Sequence, residues 1–375
     1  MSTPADTPVT DPSTAVGPAT GPSTAGRPAA GAAASSGAAI GPTTGPCPAA
    51  GPAPATGSAP ATGAAPATGP APAAGAAPAT GTAPATGSAP AAGPVSAAGV
   101  FGGRVAVITG ASSGIGAGLA RHAAALGMKL VLADIAAERL AEFAGELSAT
   151  GAEVMAVVTD VADPASVTAL ADTAYTRFGT VDLLVNNAGI MAMGYSWEIP
   201  AERWDAMLRV NIGGYVNGIR AFVPRMLERG ERGEKSWVVN VSSIGGLLPS
   251  PLMAPYSVTK FGVLALTESL HYEMRMKGAP VQVSVVTPGS VKSEIFRAAR
   301  PGETAPPEIA AFNAQLQQLA DEHGLTPEEH AERVFDMVAE GKYWAIPQPE
   351  QLFPALQPRT DMILGQVNPE LRLGG

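Results

Sequence analysis

The chain has 375 residues with 36 prolines, 44 glycines, a single cysteine (Cys47) and a formal charge of -9. One cysteine excludes an intrachain disulfide and a thiolate metal cluster, and the acidic balance argues against nucleic acid as a partner. The opening Met1-Ser2-Thr3-Pro4-Ala5-Asp6 has no basic stretch leading into an apolar core, and no apolar run is long enough to span a membrane. A soluble, cytoplasmic protein with no membrane span is therefore expected.

Residues 1–98 hold almost no core-forming side chains. They repeat a hexapeptide, as in Gly57-Ser58-Ala59-Pro60-Ala61-Thr62 and Gly81-Thr82-Ala83-Pro84-Ala85-Thr86. Each unit offers alanine as its largest apolar group and a proline that removes a ladder donor, so stacked repeats would bury too little to offset their ordering entropy. A disordered spacer is expected there, a compact folded domain over 101–350, and an irregular, proline-containing surface tail over 351–375.

From Phe101 apolar runs alternate with helical patterns, the mark of a doubly wound, mainly parallel α/β sheet with helices on both faces. The strand Arg104 to Thr109 runs into Gly110-Ala111-Ser112-Ser113-Gly114-Ile115-Gly116, after which a helix begins. Glycines there let the backbone turn tightly and approach a pyrophosphate, which then sits on the helix N-terminal dipole. The second strand, Lys129 to Ala133, ends in Asp134, a carboxylate that can accept from both adenosine ribose hydroxyls and would repel a 2′-phosphate. No basic residue stands at Ser113, Ile135 or Ala136, so NAD is favoured over NADP. The alternative role for Asp134 is a cap on the following helix.

A third strand, Val154 to Val158, leads into Thr159-Asp160-Val161, and a fourth, Val181 to Val185, into Asn186-Asn187-Ala188-Gly189. One long helix is expected over about Pro200 to Leu227; it carries Asn211, a residue type that gains little inside a helix. A fifth strand, Trp237 to Val241, delivers Ser242 and Ser243, and a sixth, Val281 to Val286, ends in Thr287-Pro288-Gly289. Between them, Tyr256 and Lys260 stand four apart, one turn above each other on a helix, where an ammonium near a phenol favours the phenolate. Pro255 pushes Ala254 toward extended backbone and places Tyr256 in the first helical turn. Downstream, Ile309, Phe312, Leu316 and Leu319 fall at helical spacing as a lid or a packed face, Thr326-Pro327-Glu328-Glu329 is a capping box, and Tyr343 to Ile346 is a seventh strand. His122, His271, His323 and His330 show no metal-ligand spacing, and no metal is expected.

The glycine turn, Asn186-Asn187-Ala188-Gly189, Ser243, Tyr256, Lys260 and Pro288-Gly289, in that order over about Arg104 to Val291, resemble a short-chain dehydrogenase/reductase of the single-domain type. The resemblance implies a seven-stranded Rossmann sheet and hydride transfer between NAD and a small-molecule alcohol or ketone. Tyr256 would be the acid/base, Lys260 would lower its pKa and hold the nicotinamide ribose, Ser243 would bind the substrate oxygen, and Asn211 would hold a water behind Lys260. It also implies that Gly110, Ser112, Ser113, Gly114, Ile115, Gly116, Asp134, Asp160, Val161, Asn187, Ala188 and Gly189 line the cofactor cleft. Pro288, Gly289, Val291 and Ser293 would complete its nicotinamide end, with Ser293 where the family often has threonine, and a homodimer or homotetramer is implied. Met191, Met193, Tyr195, Trp197, Leu247, Leu248 and Met253 make the neighbourhood apolar. Two other readings stay open: an NADPH-dependent ketone or ketoacyl reductase, and a non-catalytic dinucleotide-binding regulator of the same fold.

Overall fold

A computed structural model describes residues 96–299 and 306–370. The expected spacer therefore lies outside the described residues, except at its end. There Ser96 caps a short helix, α1 (Ala97–Phe101), by accepting from the Gly99 N–H at 3.1 Å, so ordered structure begins before Phe101. The buried Phe101 ring explains why: it meets Trp237 and Phe335 edge-on, with centroids 5.3 and 5.2 Å apart, and closes one end of the core.

Seven strands form one parallel sheet: β1 (Val105–Thr109), β2 (Lys129–Asp134), β3 (Val154–Val158), β4 (Leu183–Asn186), β5 (Ser236–Val241), β6 (Val281–Val286) and β7 (Trp344–Ala345). Their order is β3-β2-β1-β4-β5-β6-β7. The order reverses between β1 and β4, which opens a crevice at the carboxyl ends of those strands, where open α/β sheets take ligands. β1, β4 and β5 are buried along their whole length, as strands covered on both faces must be. On one side lie α2 (Gly114–Ala125), α3 (Ala137–Ala149) and α10 (Pro327–Ala339); on the other lie α4 (Pro164–Phe178), α6 (Gly214–Gly230) and α7 (Ala254–Lys277). The capping box at Thr326 and Glu329 forms in both directions, and His330 in the same helix is fully buried. No helix among the described residues is long and apolar enough to cross a membrane.

Three expectations change. The single helix over Pro200 to Leu227 is α5 (Ala201–Leu208) and α6 joined by a π-helical turn, Arg209–Gly213, a widened turn that frequently marks a functional site. Ala254 is helical rather than extended, but α7 starts next to Pro255 as expected, with the proline as its second residue and Tyr256 in its first turn. Of the tail expected over 351–375, the part to Leu364 is helical: α11 (Pro349–Leu364) is started by Pro349 and anchored by the buried Leu352, residues 365–370 follow without regular structure, and 371–375 lie outside the described residues. Pro354 and Pro358 each remove a helical N–H, but four residues apart they interrupt one side only.

At the opposite edge from the crevice, Asp182, just before β4, ties the start of β1 to the end of α6. Its Oδ1 accepts from Arg229 Nη2 at 2.6 Å and Arg104 Nη1 at 3.2 Å, and its Oδ2 accepts from the Val105 N–H at 2.8 Å. Asp182→Ala leaves the buried Arg229 guanidinium without that carboxylate and should cost about 3–5 kcal/mol, read as a lower denaturant midpoint.

Candidate active site

The first wall of the crevice is the turn after β1. Gly110 has φ of +63°, and a Cβ there would lie 2.8 Å from Ala188 Cα. At Gly116 a Cβ would meet the Gly110 carbonyl oxygen at 2.0 Å, so helix and turn approach as only glycine permits. Asn187 fixes the arrangement: its Nδ2 donates to the carbonyls of Thr109 at 2.9 Å and Gly110 at 3.2 Å, while Thr109 Oγ1 accepts from the N–H groups of Asn187 and Ala188. Ser113 caps α2 without a side-chain bond to it, so the helix opens toward the crevice with N–H groups available to an anion. Asn186 turns the other way and bonds Asn240, a structural role.

Asp134 is held at the end of β2 by its own neighbours, and α3 begins at an Ala136 N-cap with no side-chain cap bond. Its Oδ1 accepts from the Ala136 N–H at 3.0 Å, a bond within the loop ahead of α3, and its Oδ2 accepts from Ser112 N at 3.1 Å and Ser112 Oγ at 2.6 Å, locking the glycine turn to the end of β2. Ser112 Oγ also accepts from Arg139 Nε at 3.0 Å. That arginine was missed because it lies on α3, beyond the positions where a basic group was sought. Asp160 bends its own loop by accepting from the Ala162 N–H, and Val161 packs beside Gly214.

The second wall carries the candidate chemistry. Ser243 Oγ accepts from the Gly245 N–H at 3.0 Å, which holds the hydroxyl at the end of β5, and Ser243 is hydrogen-bonded to the Tyr256 phenol. Tyr256 lies in the first turn of α7, with Lys260 one turn on and Nζ 5.7 Å from the Tyr256 ring centroid. Lys260 Nζ donates to the Val241 carbonyl at 2.9 Å, an acceptor it shares with the Tyr215 hydroxyl. Asn211, in the π turn and fully buried, accepts from the Ile190 N–H at 2.8 Å and donates to the Ile190 carbonyl and to Thr259 Oγ1. It thereby fixes the strand that passes Gly189, where a Cβ would stand 3.7 Å from Lys260 Nζ.

One electrostatic expectation is corrected. Burial pushes the Tyr256 phenol up, and the Ser243 hydrogen bond only partly opposes this. Burial in turn pushes Lys260 down to about 7. With Nζ turned to Val241, the two groups share a desolvated pocket rather than an ion pair.

The Pro288-Gly289 segment and the lines after it close the crevice. Pro288 O accepts from the Ile244 N–H next to Ser243, Val291 bridges to Leu325, and the Ser293 Cβ lies 3.2 Å from where a Gly114 Cβ would be. Gly110, Ser112, Ser113, Gly114, Ile115, Gly116, Asp134, Asn187, Ala188, Gly189, Asn211, Ser243, Tyr256, Lys260, Pro288, Gly289, Val291 and Ser293 thus gather around one sheet edge, while Asp160 and Val161 flank it at β3. Over Tyr256 lies an apolar cluster of Met191, Met193, Met207, Met253 and Ile309, with Phe312 and Leu316 of α9 (Pro307–His323) packed on it; Leu319 faces outward. Leu252, at a φ of +60°, is part of the same wall.

Residues 104–304 match the model of the short chain dehydrogenase family. The chain belongs to that family. This short-chain dehydrogenase is 38% identical to a short chain dehydrogenase/reductase from Burkholderia phymatum solved with NAD, with a TM-score of 0.69 over 73% of this chain and 99% of that one. It is 41% identical over 194 residues to 1-deoxy-11-beta-hydroxypentalenate dehydrogenase of Streptomyces avermitilis, spanning 51% of this chain and 70% of the relative. It is 34% identical over 256 residues to the C alpha-dehydrogenase of a Sphingobium species, spanning 67% of this chain and 82% of the relative. The short-chain dehydrogenase is an oxidoreductase that acts on alcohol groups and uses NAD or NADP.

Proposed function

We propose that this enzyme uses NAD to interconvert a hydrophobic secondary alcohol and its ketone, with Tyr256 as acid/base. The observation that carries the reading is the meeting of Tyr256, Ser243 and Lys260 at the edge of a methionine-lined apolar cluster that itself includes the Tyr256 ring. The names of the Streptomyces and Sphingobium relatives support the alcohol chemistry, and the NAD in the Burkholderia structure supports the cofactor.

The glycine turn, the opening of α2 and the Asp134 carboxylate fit a dinucleotide, which when bound supplies the carbon that takes or gives hydride. The protein's own groups do the rest. In ketone reduction the phenol of Tyr256 donates its proton to the carbonyl oxygen; in alcohol oxidation the phenolate accepts it. Ser243 donates a hydrogen bond to the same oxygen and steadies the charge that develops there. Lys260 Nζ lies 5.7 Å from the ring centroid, held by the Val241 carbonyl, while Asn211 fixes the loop at Ile190 and the Thr259 hydroxyl beside it. The apolar cluster excludes water and selects a substrate with little charge.

The test is oxidation of a panel of secondary alcohols with NAD, followed by absorbance of the reduced cofactor. Hydrophobic members should be turned over and polar ones poorly; a protein that binds NADH but oxidises or reduces nothing in the panel would instead be a regulator of the same fold.

A specific observation favours a second reading of cofactor choice: Arg139 brings a guanidinium to Ser112 beside Asp134, where a 2′-phosphate would lie. The Asp134 carboxylate is the more deeply buried and better held of the two, so NAD should remain preferred. Arg139→Ala should lower kcat/KM for NADP by roughly tenfold, the worth of one charge-assisted hydrogen bond, while changing that for NAD far less. Equal loss with both cofactors would assign Arg139 to holding the turn alone.

A further inference from the structure

The register of β7 on β6 brings the chain after it alongside the segment after β6. Thr287 N donates to the Ala345 carbonyl at 3.0 Å, and both strands then leave the sheet together. Two glutamines use that adjacency. Gln348 is buried, with Oε1 accepting from the Gly289 N–H at 3.1 Å and Nε2 donating to the Ser290 carbonyl at 2.7 Å. Gln351, in the first turn of α11, accepts from the Ser290 N–H at 2.8 Å. One side-chain amide thus imitates a strand partner for two successive backbone groups, and a second satisfies a third. The approach is close: a Cβ at Gly289 would lie 2.4 Å from Gln351 Oε1 and 3.0 Å from Gln348 Oε1.

The clamped segment is continuous with the candidate chemistry. On its near side Pro288 O accepts from Ile244 N, beside Ser243. On its far side Ser290 O also accepts from Leu325 N, and Val291 pairs with Leu325, leading to Ser293 over Gly114.

We propose that Gln348 and Gln351 are positioning residues: they set the backbone of Pro288 to Ser293, and so the nicotinamide end of the cofactor cleft, from the C-terminal helix. This rests on the reading above that the cleft holds a dinucleotide. Neither residue touches the reacting groups, and their action passes through Gly289 and Ser290. The two amides, rather than the packing of α11 as such, then set cofactor affinity, so that the C-terminal segment is a working part of the site rather than a covering.

The test compares Gln348→Leu and Gln351→Leu, which keep the side-chain bulk and remove the amides, with Leu352→Ala, which weakens the packing of α11 and leaves both amides in place. Two readouts are taken: backbone hydrogen exchange of the cofactor-free protein, and the dissociation constant for NADH from its fluorescence. Removing the partner of a half-buried backbone N–H predicts roughly tenfold faster exchange at Gly289 in Gln348→Leu and at Ser290 in Gln351→Leu, and a roughly tenfold higher dissociation constant for NADH in Gln348→Leu. Leu352→Ala should lower the melting temperature with a smaller effect on both readouts. Unchanged exchange at Gly289 in Gln348→Leu, or at Ser290 in Gln351→Leu, overturns the clamp. Faster exchange with unchanged NADH affinity, or an equal loss of affinity in Leu352→Ala, overturns its role in positioning. If the unaltered protein binds no NADH, the dinucleotide reading itself fails, and with it the positioning role, while exchange alone still decides the clamp.

Discussion

Tyr256→Phe should lower turnover by roughly 100- to 10,000-fold, the range a positioned acid/base contributes, while leaving NADH affinity unchanged. The substitution removes one oxygen from a ring packed among Met191, Met253 and Ile309, so the pocket keeps its shape and the loss is chemical. The pH dependence carries the sign of the environment. Burial holds the phenol above its ordinary value, so the acid form dominates at neutral pH and ketone reduction is served there. Alcohol oxidation needs the phenolate, so its rate should climb with pH through the alkaline range. Ser243→Ala removes the hydrogen bond that opposes the shift and should move that climb to still higher pH. The assignment is wrong if Tyr256→Phe turns over near the unaltered rate with cofactor bound, or if oxidation is fastest on the acid side.

Much of this architecture was legible because its signals are local and periodic. Branched apolar strands ending in small or hydrogen-bonding residues recur at β1, β4, β5 and β6, and each delivers a group to one edge: Gly110, Asn187, Ser243 and Gly289. Helix openings with a proline in the first turn were equally plain at Thr326 and Tyr256. What could not be read depends on contacts between distant segments. The π turn at Asn211 arises because the asparagine bonds both backbone groups of Ile190, so the helix widens to serve a partner on another loop. The glutamines at 348 and 351 sit in a proline-rich stretch whose composition suggests a tail, and their function appears only once β7 is paired with β6. Lys260 is the sharpest case. Spacing put it one turn from Tyr256, yet the end of its flexible side chain is set by the backbone carbonyl of Val241, an acceptor that no spacing in the sequence announces.

Lys260→Met should abolish most turnover and, measured without added dinucleotide, make the folded protein more stable at neutral pH. Lys260 is buried, and its ammonium is pushed down to about 7 by burial, from an ordinary value of 10.5. The unfolded chain therefore binds more protons than the folded one between those two values, so stability rises with pH across that window. Below about pH 7 both states are protonated and the whole penalty for burying the charge is present; above 10.5 it is gone. A methionine of similar length avoids the penalty, and Val241 O keeps a partner in the Tyr215 hydroxyl at 2.7 Å. After allowance for the lost amine hydrogen bond, the gain at pH 7 should be on the order of 2 to 4 kcal/mol, shrinking toward pH 10. Denaturant unfolding of the two proteins at a series of pH values reads this difference directly. A Lys260→Met protein that is less stable at every pH, or a gap that does not narrow as pH rises, would mean that the ammonium is solvated and not strained. A narrowing gap together with lost activity would show that this site holds a charge at the cost of stability, as expected where a buried cation serves chemistry and not the fold.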